Sequence, residues 1–306
     1  MLIRFSEKIH IQIWSILKKN FNAILFFVFW STGVYYLHHY LEIKYIAVPL
    51  GAVSLLGGGL AFFLAFRNNS AYDRWWEARK IWGGIVNISR TFTGYVTNFP
   101  INLEHFEKEK IVKRHVAWLN ALRIQLREQD KWEEVYQYID QEEKELYDQK
   151  NNKATQINHK QLEVISKLKR DGKIDEFEHQ MISDCIRQMY ELQGKAERIK
   201  KTVFPFFYTY FTRMFLWVFI LILPFGLVPE MGWESIPIIV LTCFVFYILE
   251  RTGTATMLPL DFNSSGTPMS ALCRVIEIDI LQQVGCKDIP EAYDTKLTQH
   301  GSLFLD

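Results

Sequence analysis

Hydrophobic and polar positions fall into long blocks along this chain. Asn20–Leu37 carries no charge between Lys19 and His38, and Tyr45–Phe66 carries none between Lys44 and Arg67. Thr202–Pro229 holds one charge, Arg213, and ends in the Pro/Gly-rich stretch LPFGLVPEMG. Ser235–Leu249 is uncharged but short. A membrane-spanning helix needs about 20 mostly apolar residues. The pattern therefore predicts four spans, at about residues 20–40, 45–66, 202–228 and 233–250. The last spans only with help from Trp233 and Tyr247 at the interfaces, and a buried core helix is its competing reading.

Between and beyond these blocks the pattern changes to helical stripes. Ala71, Trp75, Ala78, Trp82 and Ile85 recur at spacings of four and three, as do Val112, Val116, Leu119, Leu122 and Leu126. A third stripe, Phe177, Met181, Cys185, Met189, Leu192, Ala196 and Ile199, is expected to run without a break into the third span. Ser270–Val284 is expected to be the last helical piece. Glu128–Asn158 is dense in charge and is expected to project into solvent. No internal repeat or Gly/Ser linker interrupts the chain. The expectation is an all-α membrane protein with one domain over residues 1–306, whose cytosolic helices (68–200 and 251–306) continue the spans.

Charge adds an orientation. Arg4, Lys8, Lys18 and Lys19 precede the first span, Arg67, Arg74, Arg79 and Lys80 follow the second, and Lys195, Arg198, Lys200 and Lys201 precede the third. The short connections His38–Lys44 and Glu230–Glu234 together hold one lysine. The positive-inside rule then puts both termini and the polar middle in the cytoplasm of a multi-pass protein of the cell (inner) membrane. Met1–Lys19 is amphipathic and does not read as a cleavable signal. A formal net charge of +1 lacks the basic surplus that nucleic-acid binding needs. Cys185, Cys243, Cys273 and Cys286 are scattered, which suits reduced, buried thiols.

Catalytic signatures are missing: no phosphate-binding GxxxxGK[ST], no dinucleotide fingerprint, no HExxH and no GxSxG. The expectation is a protein that is not an enzyme and carries no cofactor or metal. The pair His38-His39 invites a metal reading, but neighbours on a helix point about 100° apart, so a solvated interfacial pair is expected. The stretch GGGLAFFLAFRNNSAYDRWWEARK, Gly57 to Lys80, passes from glycine and hydrocarbon to amide, charge and tryptophan within one helical run. Each glycine there costs about 1 kcal/mol relative to alanine. Close packing of helices is one use for such residues; widening a lumen is the other. Phe62 and Phe66 are four apart and share a face. Several copies of this helix around an axis would make them a hydrophobic constriction, with Asn68 and Asn69 as its wet mouth. One copy has too few spans to enclose a lumen, so this reading requires an oligomer.

The stretch FRNNSAYDRWWEARKIWG, Phe66 to Gly83, resembles the segment after the pore neck in bestrophins, specifically their bacterial homologues. QGKAERIKKTVFPFFY, Gln193 to Tyr208, is similar to that family's approach to the third span, although Ala196 stands where the bacterial pattern often has cysteine. PMSALCRVIEID, Pro268 to Asp279, is similar to the bacterial C-terminal helix. The resemblance covers residues 1–285. It implies a homopentameric channel passing chloride or sodium ions through a lipid bilayer, with a neck at Gly58, Phe62 and Phe66 and a lower cytosolic aperture at Phe177. Gly58 departs from the bulky residue usual there, so the outer ring should be wide. A core contact is the competing reading for Phe177. Animal members clasp Ca²⁺ with an acidic cluster after the fourth span. The matching stretch here, Thr254 to Asn263, has one carboxylate, Asp261, too few for a cation that takes about six to eight oxygens. The family name favours anions; a sodium channel of the same architecture, a non-conducting scaffold and a secondary transporter remain open as alternatives. Visible inverted repeats would mark a transporter, and none is seen.

Overall fold

The computed structural model describes residues 9–100, 102–262, 266–293, 296–297 and 303–304. Among these, eleven α-helices follow one another: α1 (Ile9–Lys19), α2 (Phe21–His39), α3 (Leu50–Asn98), α4 (His105–Arg127), α5 (Glu133–Tyr136), α6 (Gln141–Asp148), α7 (Lys153–Arg170), α8 (Glu176–Lys201), α9 (Phe206–Met231), α10 (Ser235–Thr256) and α11 (Met269–Val284). Two strands of two residues each, β1 (Lys296–Leu297) and β2 (Leu303–Phe304), pair as a two-stranded sheet. Arg4 and Lys8, part of the charge pattern above, lie outside the described residues.

The chain forms two compact units. Among the described residues, the first takes residues 9–75 and Val203–Leu258, the second residues 76–202 and 259–293, so α3 contributes to both. In the first unit the core is Phe27 and Val34 of α2, Val53, Leu60 and Leu64 of α3, Leu216, Phe219, Ile220, Leu223 and Val228 of α9, and Ile239 and Cys243 of α10. Two glycines set how closely α3 and α9 approach. A Cβ on Gly57 would lie 2.9 Å from the Phe219 ring, and one on Gly226 would lie 2.8 Å from Val53. Gly57 thus serves packing, whereas Gly58 and Gly59 have nothing within 4 Å of a Cβ position.

Two helical stretches are long and apolar enough to cross a membrane, Lys44–Asn98 and Phe206–Thr256, the second containing both α9 and α10. Helix α2, with 19 residues, ends in Tyr35, Tyr36, His38 and His39 and is not among them. Helix α10 runs 22 residues to Thr256, well past Leu249. The charges that mark the end of the apolar block do not end the helix, since Glu and Arg are good helix formers; Glu250 meets Arg67, and Arg251 Nη1 donates to Asn20 Oδ1 at 2.9 Å. The expected run from the third stripe into the third span is corrected. α8 stops at Lys201 and the chain is extended through Thr202–Pro205 before α9 begins. Pro205 has no N–H to donate and its ring pushes the preceding residue out of the helical region.

In the second unit α4 is central, with Val112, Val116, Leu119, Leu122 and Leu126 all buried as its stripe requires. Trp82 of α3 and Trp118 of α4 itself are the largest fully buried side chains of this unit. Glu128–Asn158 does not project into solvent. Val135 and Tyr147 are buried, and Arg114 and Arg123 of α4 draw the acids inward, Arg114 pairing with Glu143 and Arg123 with Glu134. Two guanidiniums buried on α4 need counter-charges, and this segment supplies them. Helix α8 begins in a capping box, in which Asp175 Oδ1 accepts from the Glu178 N–H at 2.7 Å and Glu178 Oε2 accepts from the Asp175 N–H at 2.9 Å. All four cysteines are buried and outside any disulfide.

His115 lies in this core, 1% exposed, between the rings of Phe92 and Trp118, whose centroids are each 5.2 Å away. Burial holds its imidazole down to about 3, well below its ordinary value. The unfolded chain therefore takes up a proton near pH 6.5 that the folded protein accepts only near pH 3, and stability is lost as pH falls through that window. Thermal melts of detergent-solubilised protein should show a declining midpoint from pH 6.5 to pH 4, and His115→Leu should flatten this slope. An unchanged slope in the variant would contradict a buried neutral ring.

Candidate functional site

Helix α3 is packed along one stripe only. Val53, Leu60, Leu64, Arg67 and Ala71 are buried, and the 18-residue apolar window of this helix is 17% buried against 44% for that of Phe206–Thr256. Two residues along a helix is about 200° of rotation, so residues 62 and 66 point almost directly away from Leu60 and Leu64. Phe62 is 63% exposed and Phe66 is 55% exposed. Their rings meet edge to face with centroids 4.5 Å apart and planes at 70°, forming one aromatic ledge. Gly58 lies one turn before it on the same open face, and Asn69 lies exposed beyond it.

Asn68, expected in the mouth with Asn69, is turned elsewhere. Its Nδ2 donates to the Leu249 carbonyl of α10 at 3.1 Å. A Cβ on Gly253 would lie 1.8 Å from Asn68 Oδ1, so the amide occupies a notch that glycine leaves open. Adjacent residues differ by about 100°, which puts Asn68 beside α10 and Asn69 on the open face.

Next to this notch three charged side chains converge. Arg67 has no exposed surface. Its Nη1 donates to Glu250 Oε1 at 3.4 Å, and its Nη2 donates to Thr254 Oγ1. Arg213 of α9 reaches the same Oε1 through Nε and Nη2, each at 3.4 Å, and Thr254 Oγ1 donates to it at 3.0 Å. One carboxylate thus serves two guanidiniums. Arg213 stood out in the sequence as the one charge within an apolar block, but Arg67 and Glu250 did not, because each is the first residue after an uncharged run. That shared position, at the ends of the second and fourth blocks, was the available signal.

The remaining expected residues lie in the second unit. Phe177, in the first turn of α8, is 76% exposed and so makes no core contact within this chain. Asp261 accepts from Lys200 Nζ at 2.9 Å, and the same ammonium lies 3.3 Å from Glu128. The lone carboxylate of that stretch is therefore held by a lysine.

Comparison with known proteins extends over nearly the whole chain. The model of the bacterial and fungal bestrophin family matches residues 5–282. The chain is 30% identical to the voltage-dependent anion channel-forming protein YneE of Salmonella typhi, over 92% of each chain, and 29% identical to YneE of Escherichia coli K12, again over 92% of each. A counterpart from Mesorhizobium japonicum is 26% identical over 92% of this chain and 90% of its own. Among solved structures, a bacterial bestrophin homologue from Klebsiella pneumoniae superposes with a TM-score of 0.82 at 25% identity, covering 86% of this chain and 97% of that one. From the motifs around Arg74-Trp75-Trp76 to the match over residues 5–282, the chain belongs to the bacterial and fungal bestrophin family.

Proposed function

We propose that this protein is a subunit of a homopentameric channel of the inner membrane that passes anions, chloride foremost, down their gradient. It acts without cofactor or catalytic step. Each subunit contributes four spans, the three apolar stretches of α3, α9 and α10 together with α2, and keeps both termini in the cytoplasm. The observation that carries this reading is the Phe62–Phe66 ledge. It stands on an apolar helix only 17% buried in its spanning window, directly opposite the stripe that holds that helix to its own chain. Copies arranged around an axis would bring these ledges together as a collar that dewets when narrow. Gly58, with no side chain and open space around it, leaves the outer end of the collar wide. Asn69 supplies the polar mouth and Phe177 the lower cytosolic aperture. The relatives named as anion channel-forming proteins support the choice of ion.

Purified protein reconstituted in liposomes should carry a current whose reversal potential follows the chloride gradient. Phe62→Ala and Phe66→Ala should each raise single-channel conductance severalfold, and unchanged conductance in both would remove these residues from the neck. A current that never appears while the oligomer persists would favour a scaffold.

Calcium should not gate this current through the stretch after the fourth span, because Lys200 already neutralises Asp261 there. Chelating Ca²⁺ should leave open probability unchanged, and a Ca²⁺-dependent current abolished by Asp261→Ala would contradict this.

A further inference from the structure

We propose that the cluster of Arg67, Glu250 and Arg213 sets the balance between anion and cation permeation, with Glu250 as the element that restrains anion preference. The proposal rests on the conducting role argued above.

Arg67 follows Phe66 directly in sequence and its guanidinium is sealed from solvent, so its charge is neither hydrated nor screened by mobile ions. A guanidinium does not release its proton under any ordinary condition. Arg213 brings a second fixed charge to the same carboxylate, through a side chain that is 55% exposed. Two positive groups against one negative group leave one net positive charge per subunit at the end of the neck. Arg67 leaves the helix about 100° from Phe66 and about 140° from Phe62, so that charge lies roughly the width of one helix, about 10 Å, from the ledge. Through low-dielectric protein a unit charge acts over such a distance far more strongly than through water. The neck rings are uncharged, so they leave the sign of the permeating ion to fixed charges nearby, and this cluster is one held in place by hydrogen bonds.

The hydrogen bonds assign different roles to the three residues. Glu250 Oε1 accepts from Arg67, Arg213 and Thr254. It is the common acceptor, and neutralising it changes the cluster from one net positive charge to two. Arg213 contributes charge from a position that tolerates substitution, since half its side chain is uncovered. Arg67 Nε is buried without a hydrogen-bond partner, which marks Arg67 as the costliest member to hold and the one that most depends on Glu250.

Reversal potentials in proteoliposomes under a sodium chloride gradient test this. Glu250→Gln should raise the ratio of chloride to sodium permeability severalfold, and Arg213→Gln should lower it. Arg213→Lys keeps the charge and should restore the wild-type ratio, which loss of packing alone would not produce. Size-exclusion chromatography confirms that each variant keeps the wild-type oligomer. If Glu250→Gln fails to assemble, the comparison of Arg213→Gln with Arg213→Lys decides the matter. Equal permeability ratios in wild type, Arg213→Gln and Arg213→Lys, with current retained, overturn the proposal while leaving the channel assignment standing. Absence of current in the wild type overturns the channel assignment instead.

Discussion

A guanidinium with no exposed surface cannot be moved cheaply, and Arg67 is such a group. Burying a charge is tolerated only where an opposite charge and hydrogen bonds meet it, and here Glu250 and Thr254 of α10 do so. Asn68, in its glycine notch on α10, adds a second fixed point one residue later. Together with Leu60 and Leu64 in the core, these contacts set the rotation of α3 about its own axis. Once that rotation is set, Phe62 and Phe66 have no choice of direction. They face away from the rest of the subunit because the opposite stripe is committed.

The same constraint explains why the apolar part of α3 looks unfinished in a single chain. A helix packed on one stripe and bare on the rest needs lipid, neighbouring copies or a lumen to cover it. Leu55 and Phe63 are exposed along with Phe62 and Phe66, while Gly58 and Gly59 have empty space around them. In a closed ring the contacts are heterologous, so the two flanks of such a helix would meet different surfaces of the next copy.

The apolar blocks and helical stripes were legible in the sequence, since periodicity depends only on which side of a helix is wetted. The stripe of α4 from Val112 to Leu126 is buried throughout, as its spacing requires. Tertiary charge pairing was less legible. Glu128–Asn158 reads as solvated because its charged residues outnumber its apolar ones, yet Arg114 and Arg123 wait on α4 to receive Glu143 and Glu134. Long-range pairs of this kind leave no local periodic mark. The break at Thr202–Pro205 was legible in principle, since Pro205 stands in the middle of the expected continuous helix. Spacing brought Phe62 and Phe66 forward and the resemblance agreed by register, and the open face of α3 supplies a physical reason for them. Asn68 shows the limit of reading order along the chain, since one residue of offset turned an expected mouth residue into a docking residue.

The most direct test of the aromatic collar asks what environment position 62 faces. In Phe62→Cys the four native thiols are buried, so a reagent reports the new one. A membrane-impermeant, water-borne thiol reagent should modify Cys at position 62 in reconstituted oligomers and block the current as it reacts. Modification only by a lipid-soluble maleimide, with the current unaffected, would put this side chain in the bilayer and contradict the account.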